Sequence, residues 1–156
     1  MKLYLLRHGK ADVPNWHGPD DERPLTEDGV QEMRLVGAAL RQLRIAPDVI
    51  VTSPLPRALR TAEIAAKALG VALEVSDVLR PGFDRPACNG LLSARRDADV
   101  MLVGHEPDFS DLIHSLTGGW VKLQKAATAA VEIGGDSPAP RLLWLFPAKT
   151  LLRLSH

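Results

Sequence analysis

Short apolar runs alternate along this chain with segments of helical periodicity, and that alternation restricts it to an α/β architecture with a largely parallel sheet. Positions 3–6, 49–52, 73–75 and 100–103 are the apolar runs, and 129–133 with 142–146 read as a closing pair of strands. After the first run, Thr26 stands as an N-cap, with Glu27 and Asp28 in the first turn where carboxylates suit the helix dipole. Val30, Met33, Val36, Leu40 and Leu43 follow at helical spacing until Pro47 ends the segment. Ser53-Pro54 is expected to open a helix running to Leu69, with Gly70 just past its end. Pro81, Gly82, Pro86 and Gly90 interrupt the next stretch and leave room for a short helix at about 91–95. Phe109, Leu112, Ile113 and Leu116 mark a further helix that stops at Gly118.

The 156 residues suit one domain, 1–156, with no internal repeat or linker and enough length to bury a core. Nineteen basic and nineteen acidic side chains cancel, so no overall field draws the chain to nucleic acid or to a membrane surface. Cys88 is the only cysteine, which excludes an internal disulfide and suits a reducing compartment. The opening Met-Lys-Leu-Tyr-Leu-Leu-Arg holds too short an apolar stretch for a signal peptide or a membrane span, so a cytoplasmic location is expected.

In open α/β sheets, ligands bind beyond the carboxyl ends of the strands. Three such ends carry polar residues of a related kind: Arg7-His8-Gly9, Thr52-Ser53 with Arg57 one turn into the next helix, and Gly104-His105. Two imidazoles and two guanidiniums can thus converge on one crevice, where guanidinium forks and helix N-termini suit a phosphate group. Taken singly, a strand-end histidine is more often a hydrogen-bonded structural residue, and a lone helix arginine is more often solvated. The functional reading rests on their joint placement. The polar stretch from His8 to Leu25 is long for a compact fold, as loops over active sites often are.

Other chemistries fit less well. No zinc-binding His-Glu-x-x-His and no phosphate-cradling Gly-x-x-x-x-Gly-Lys occurs, so neither a metal nor a nucleotide cofactor is expected. Cysteine phosphatases place an arginine six residues after the nucleophile, and here Ala94 holds that position relative to Cys88. Trp16, Trp120 and Trp144 are scattered and read as packing residues.

Four segments in order resemble the histidine phosphatase superfamily: Leu6-Arg7-His8-Gly9, Arg23-Pro24-Leu25-Thr26, the stretch from Ser53-Pro54 through Arg57-Ala58 to Thr61-Ala62, and Val103-Gly104-His105-Glu106-Pro107. The short length and the Arg-Pro-Leu-Thr segment are similar to its small phosphohistidine phosphatases, the SixA-type branch. The resemblance implies a three-layer α/β/α sandwich around a central, mainly parallel sheet, phosphoglycerate mutase-like. It also implies that His8 accepts the phosphoryl group, Arg7 and Arg57 hold its oxygens, and His105 stabilises the group in transfer. Gly9, Arg23, Ser53, Asp84 and Glu106 are further pocket candidates. A neutral imidazole is needed for attack, and neighbouring arginines are expected to keep it so by like-charge repulsion.

Larger relatives supply a carboxylic acid between the two main motifs, and in the corresponding positions 78–90 Asp84 is the only carboxylate. Without an acid the substrate needs an easy leaving group, and an imidazole nitrogen, with a pKa of about 6.5, is one. Three readings follow. The first is a metal-independent phosphatase for phosphohistidine in proteins. The second is a phosphomonoesterase for a small phosphorylated metabolite with Asp84 as acid, and the third a non-catalytic phosphate-binding module.

Overall fold

The computed structural model describes residues 1–154. Six strands form one sheet: β1 (Lys2–Arg7), β2 (Val49–Thr52), β3 (Ala72–Val75), β4 (Val100–Gly104), β5 (Thr128–Glu132) and β6 (Arg141–Phe146). Their order is β3-β2-β4-β1-β5-β6. The β3-β2-β4-β1 block is parallel, while β5 runs antiparallel to both β1 and β6. The helices are α1 (Glu27–Gln42), α2 (Pro56–Leu69), α3 (Arg85–Ser93), α4 (Asp108–Thr117) and α5 (Ala148–Leu152).

Strand side chains alternate between two cores, which makes the three layers. Tyr4, Leu6, Ile50, Met101 and Val103 face α1 and α2, packing with Met33, Val36, Leu40, Ala62 and Ala65. Leu3, Leu5, Val51, Val100 and Leu102 face α3 and α4, packing with Cys88, Leu91, Phe109, Leu112 and Ile113. The central strands are buried on both faces, which is why they read as unbroken apolar runs in the sequence.

Helix limits follow local chemistry. The Thr26 hydroxyl accepts the Gly29 N–H at 2.9 Å, a cap worth about 1 kcal/mol. Gly70 and Gly118 end α2 and α4 in the left-handed conformation that glycine adopts without penalty. Two expectations need correction. The second helix opens two residues later than expected, with Leu55 as cap and Pro56 as its first residue, because Ser53, just past β2, still donates its backbone N–H to Val103 O at 3.0 Å. The short helix expected at 91–95 is instead α3, which starts at Arg85: Asp84 caps it by accepting the Ala87 N–H at 3.0 Å, and Pro86 sits in the first turn where proline is tolerated. α5 carried no signal strong enough to be expected. No helix among the described residues is long and apolar enough to cross a membrane.

Candidate active site

The carboxyl ends of β1, β2 and β4 lie side by side, with β4 in the middle. The His8 N–H bonds Gly104 O at 3.2 Å, so the Arg7-His8 and Gly104-His105 ends are stitched together beyond the last ladder pair. Gly104 is required there, since a Cβ would lie 2.8 Å from the ring of Phe109. The rings of His8 and His105 have centroids 5.5 Å apart, tilted at 55°. Arg57 projects from the first turn of α2 into the same place. His8, Arg57 and His105 are only 7%, 5% and 4% exposed.

Each side chain is held in a way that fixes what it can offer. His8 Nδ1 lies 2.8 Å from the Gly9 carbonyl, a pure acceptor, so Nδ1 carries the hydrogen and Nε2 keeps its lone pair. The Gly9 N–H donates to the Thr61 hydroxyl at 3.1 Å, which donates in turn to Arg57 O at 2.7 Å. Thr61 therefore ties the turn after β1 to the start of α2. His105 Nε2 is 2.7 Å from the Ser53 hydroxyl. That oxygen also accepts the Leu55 N–H at 3.3 Å, leaving its own hydrogen for the imidazole. With Ser53 donating, His105 Nε2 accepts and Nδ1 carries the proton. Nδ1 of His105 and Nε of both Arg7 and Arg57 are buried without a hydrogen-bond partner, three N–H groups suited to an anion.

Arg7 is set by a relay. Its Nη1 donates to Leu123 O at 3.2 Å, the Leu123 N–H donates to the Ser110 hydroxyl at 3.0 Å, and that hydroxyl donates to Glu106 at 2.6 Å. The Ser110 N–H takes the other Glu106 oxygen at 2.9 Å. Arg57 is clamped by the loop between β1 and α1: Nη1 donates to Asp20 O at 2.8 Å and Nη2 lies 3.4 Å from the Asp20 carboxylate. Arg23 grips the same carboxylate at 3.1 Å and the Ala11 carbonyl, so it braces the loop.

Electrostatics follow from this burial. The His8 pKa is pushed down to about 3, chiefly by desolvation, with further lowering from His105, Arg57 and Arg7 against the opposing bond to Gly9 O. His105 is pushed down to about 4, again mainly by burial and then by Arg57, with Asp21 opposing. The expectation that arginines keep the imidazole neutral thus takes second place to burial. Both arginines are lowered by desolvation yet remain charged.

Among the remaining candidates, Gly9 and Ser53 lie within this cluster and Glu106 supports Arg7. Arg23 acts through Asp20. Asp84 is exposed, and its carboxylate is engaged as the cap of α3. Cys88 is buried with its thiol pushed up to about 11 by desolvation, which is the inert condition. Asp20 and Ser110 were not anticipated. Their signals were the spacing of Asp20 three residues before Arg23, and of Ser110 four residues after Glu106 on an incipient helix. No group of three or more metal-ligating side chains occurs among the described residues.

Residues 3–81 match the profile of the histidine phosphatase superfamily (branch 1). An uncharacterized protein of Picosynechococcus is 37% identical over 86% of both chains. The phosphohistidine phosphatase SixA of Escherichia coli is 29% identical over 76% of both. A solved structure of the protein histidine phosphatase SixA complexed with tungstate superposes with a TM-score of 0.84 at 26% identity, covering 97% of this chain and 99% of the other.

Proposed function

The chain belongs to the histidine phosphatase superfamily, and from that premise we propose that it is a metal-independent phosphatase that removes phosphate from phosphohistidine in proteins. The observation that carries the reading is His8: its Nδ1 is committed to Gly9 O, and its Nε2 faces a cationic, buried niche as a neutral nucleophile.

In this reading Nε2 of His8 attacks phosphorus while Arg7, Arg57 and the Nδ1–H of His105 spread the charge on the equatorial oxygens. The substrate ring carries a proton on its other nitrogen, so when the bond from phosphorus to the substrate nitrogen breaks, its electron pair passes to the ring and a neutral imidazole departs. Water then attacks phosphorus of phosphorylated His8, its proton passes to a phosphoryl oxygen, and inorganic phosphate departs as the P–N electron pair returns to Nε2 with Nδ1 still protonated. An imidazole leaves without strong protonation, which suits a site whose one acid candidate, Asp84, is engaged as a helix cap.

Incubation with a radiolabelled phosphohistidine protein followed by a rapid alkaline quench should leave label on the wild-type chain and none on His8→Ala. Steady-state rates on that protein should exceed those on small phosphomonoesters, and should survive Asp84→Asn. Faster turnover of the small esters, or a sharp loss in Asp84→Asn, would transfer the assignment to a metabolite phosphatase.

A further inference from the structure

A second cationic feature shares Arg7 with the site and extends outward from it. Beside Arg7 lies an open cavity of about 390 Å³ whose walls carry Lys10, Lys122, Lys125 and Lys149 against a single carboxylate, Glu32. Three chain segments meet there. Lys10 follows β1, Lys122 and Lys125 sit on the loop before β5, and Lys149 lies in α5. Leu123, next to Lys122, is the residue whose carbonyl anchors Arg7 at 3.2 Å, so the spacing from this loop to the reaction site is fixed by one hydrogen bond.

The four lysines are not equivalent. Lys125 pairs with Asp12 at 2.6 Å, and Lys10 lies 3.5 Å from Glu32. Lys122 and Lys149 are exposed and have no anionic partner among the described residues. In a chain with no net charge, two unmatched cations beside a phosphate pocket form a local positive field. Their character differs from that of the pocket itself. The pocket holds buried guanidinium forks that fit one small anion, whereas these are flexible, solvated ammonium groups on an open rim. A spread of carboxylates on a neighbouring surface fits them better than a compact ligand does.

We propose that this lysine-lined cavity docks an acidic segment flanking the phosphorylated residue of a protein substrate. The proposal rests on the function proposed above, and it identifies Lys122 and Lys149 as specificity-determining residues.

The test uses two phosphohistidine peptides that are identical except for a flank of four glutamates or four glutamines, with the wild-type chain and the double variant Lys122→Glu/Lys149→Glu. The wild type should favour the glutamate peptide by about tenfold in kcat/KM at low salt, mainly through KM, and lose that preference at high salt. The double variant should lose or reverse the preference and keep its rate on the glutamine peptide and on para-nitrophenyl phosphate. Equal wild-type rates on the two peptides, or a preference that survives the double variant, would overturn the docking site. A separate fluorescence-anisotropy titration of the unphosphorylated glutamate peptide needs no turnover. Weaker binding to the double variant supports the site, and unchanged binding overturns it. Displacement of that peptide by citrate at matched carboxylate concentration would assign the cavity to a small anion and also overturn the proposal. Failure to hydrolyse either peptide while para-nitrophenyl phosphate is consumed would refute the proposed function, leaving the anisotropy result to decide the docking site.

Discussion

Acidification from pH 8 to pH 5 should cost the folded chain about 4 kcal/mol through His8 and His105 alone. The folded state holds these rings neutral, with pKa values pushed down to about 3 and about 4. In the unfolded chain both return to an ordinary histidine value near 6.5. Above that value neither state binds the proton, and the two rings contribute nothing to the pH dependence. Below it the unfolded chain gains protons that the folded chain refuses, so stability falls as pH falls until the folded pKa is reached. At pH 5 the unfolded chain is about 1.5 pH units into this window, which amounts to about 2 kcal/mol for each ring. Against a typical total of roughly 5–15 kcal/mol, the pair is a large part of the margin.

Urea unfolding at pH 8 and pH 5 measures the loss, and His8→Asn and His105→Asn isolate it. Asparagine does not titrate, and at position 8 its amide can still donate to Gly9 O. Each variant should lose about 2 kcal/mol less than wild type between the two pH values, because every other titration cancels in the comparison. A variant with the same pH dependence as wild type would refute the claim that burial holds that ring neutral.

Three further outcomes are expected. Ser53→Ala frees His105 from its 2.7 Å partner and should lower kcat by about tenfold with KM little changed, while Ser53→Thr restores the rate. Asp20→Asn removes the carboxylate 3.4 Å from Arg57; since Asp20 is 70% exposed the gain is screened, and vanadate should bind about three- to tenfold tighter in a competition assay. Gly104→Ala puts a Cβ 2.8 Å from the Phe109 ring and should cost about 1–3 kcal/mol in urea unfolding, partly recovered by adding Phe109→Leu.

The sheet was legible because its central strands are buried on both faces, and continuous apolar runs are what such strands require. The cluster of Arg7, His8, Arg57 and His105 was legible for a topological reason: parallel strands present their carboxyl ends on one edge, so residues far apart in sequence become neighbours. Misreadings fell where local signals conflict. Ser53-Pro54 has the composition of a cap and first turn, but a second proline follows two residues on at Pro56, and the Ser53 N–H donates to Val103 O, so the helix opens at Pro56 without a side-chain cap. Pro86 was read as a breaker although a proline in the first turn starts a helix as readily as it ends one. For Asp20 and Ser110 the sequence holds only the local spacings to Arg23 and Glu106, because the contacts that give them their place, to Arg57 and Leu123, are made at long sequence range.

Four carboxylates near the mouth are engaged as acceptors, which supports the leaving group proposed above. Glu106 uses both oxygens on Ser110, one for the N–H and one for the hydroxyl. Asp20 divides its oxygens between Arg23 and Arg57, Asp12 holds Lys125, and Asp84 caps α3. Each serves as an acceptor for a group that positions the loop, the helix or an arginine. A general acid needs the converse, a carboxyl with a proton aimed at the departing atom. These four carboxylates therefore organise the cationic niche, while Asp21 places a further negative charge near His105 and Arg57. In the proposed reaction a phosphorylated imidazole protonated on its other nitrogen departs as a neutral ring, whereas an alkoxide needs a proton from an acid. The same frame explains why the two histidines differ in use. In the proposed reaction one is held by a carbonyl so that its Nε2 lone pair is free to attack, and the other is held by a hydroxyl and leaves Nδ1 for a phosphoryl oxygen. Under that proposal two identical side chains, both kept neutral by burial, serve as nucleophile and as donor.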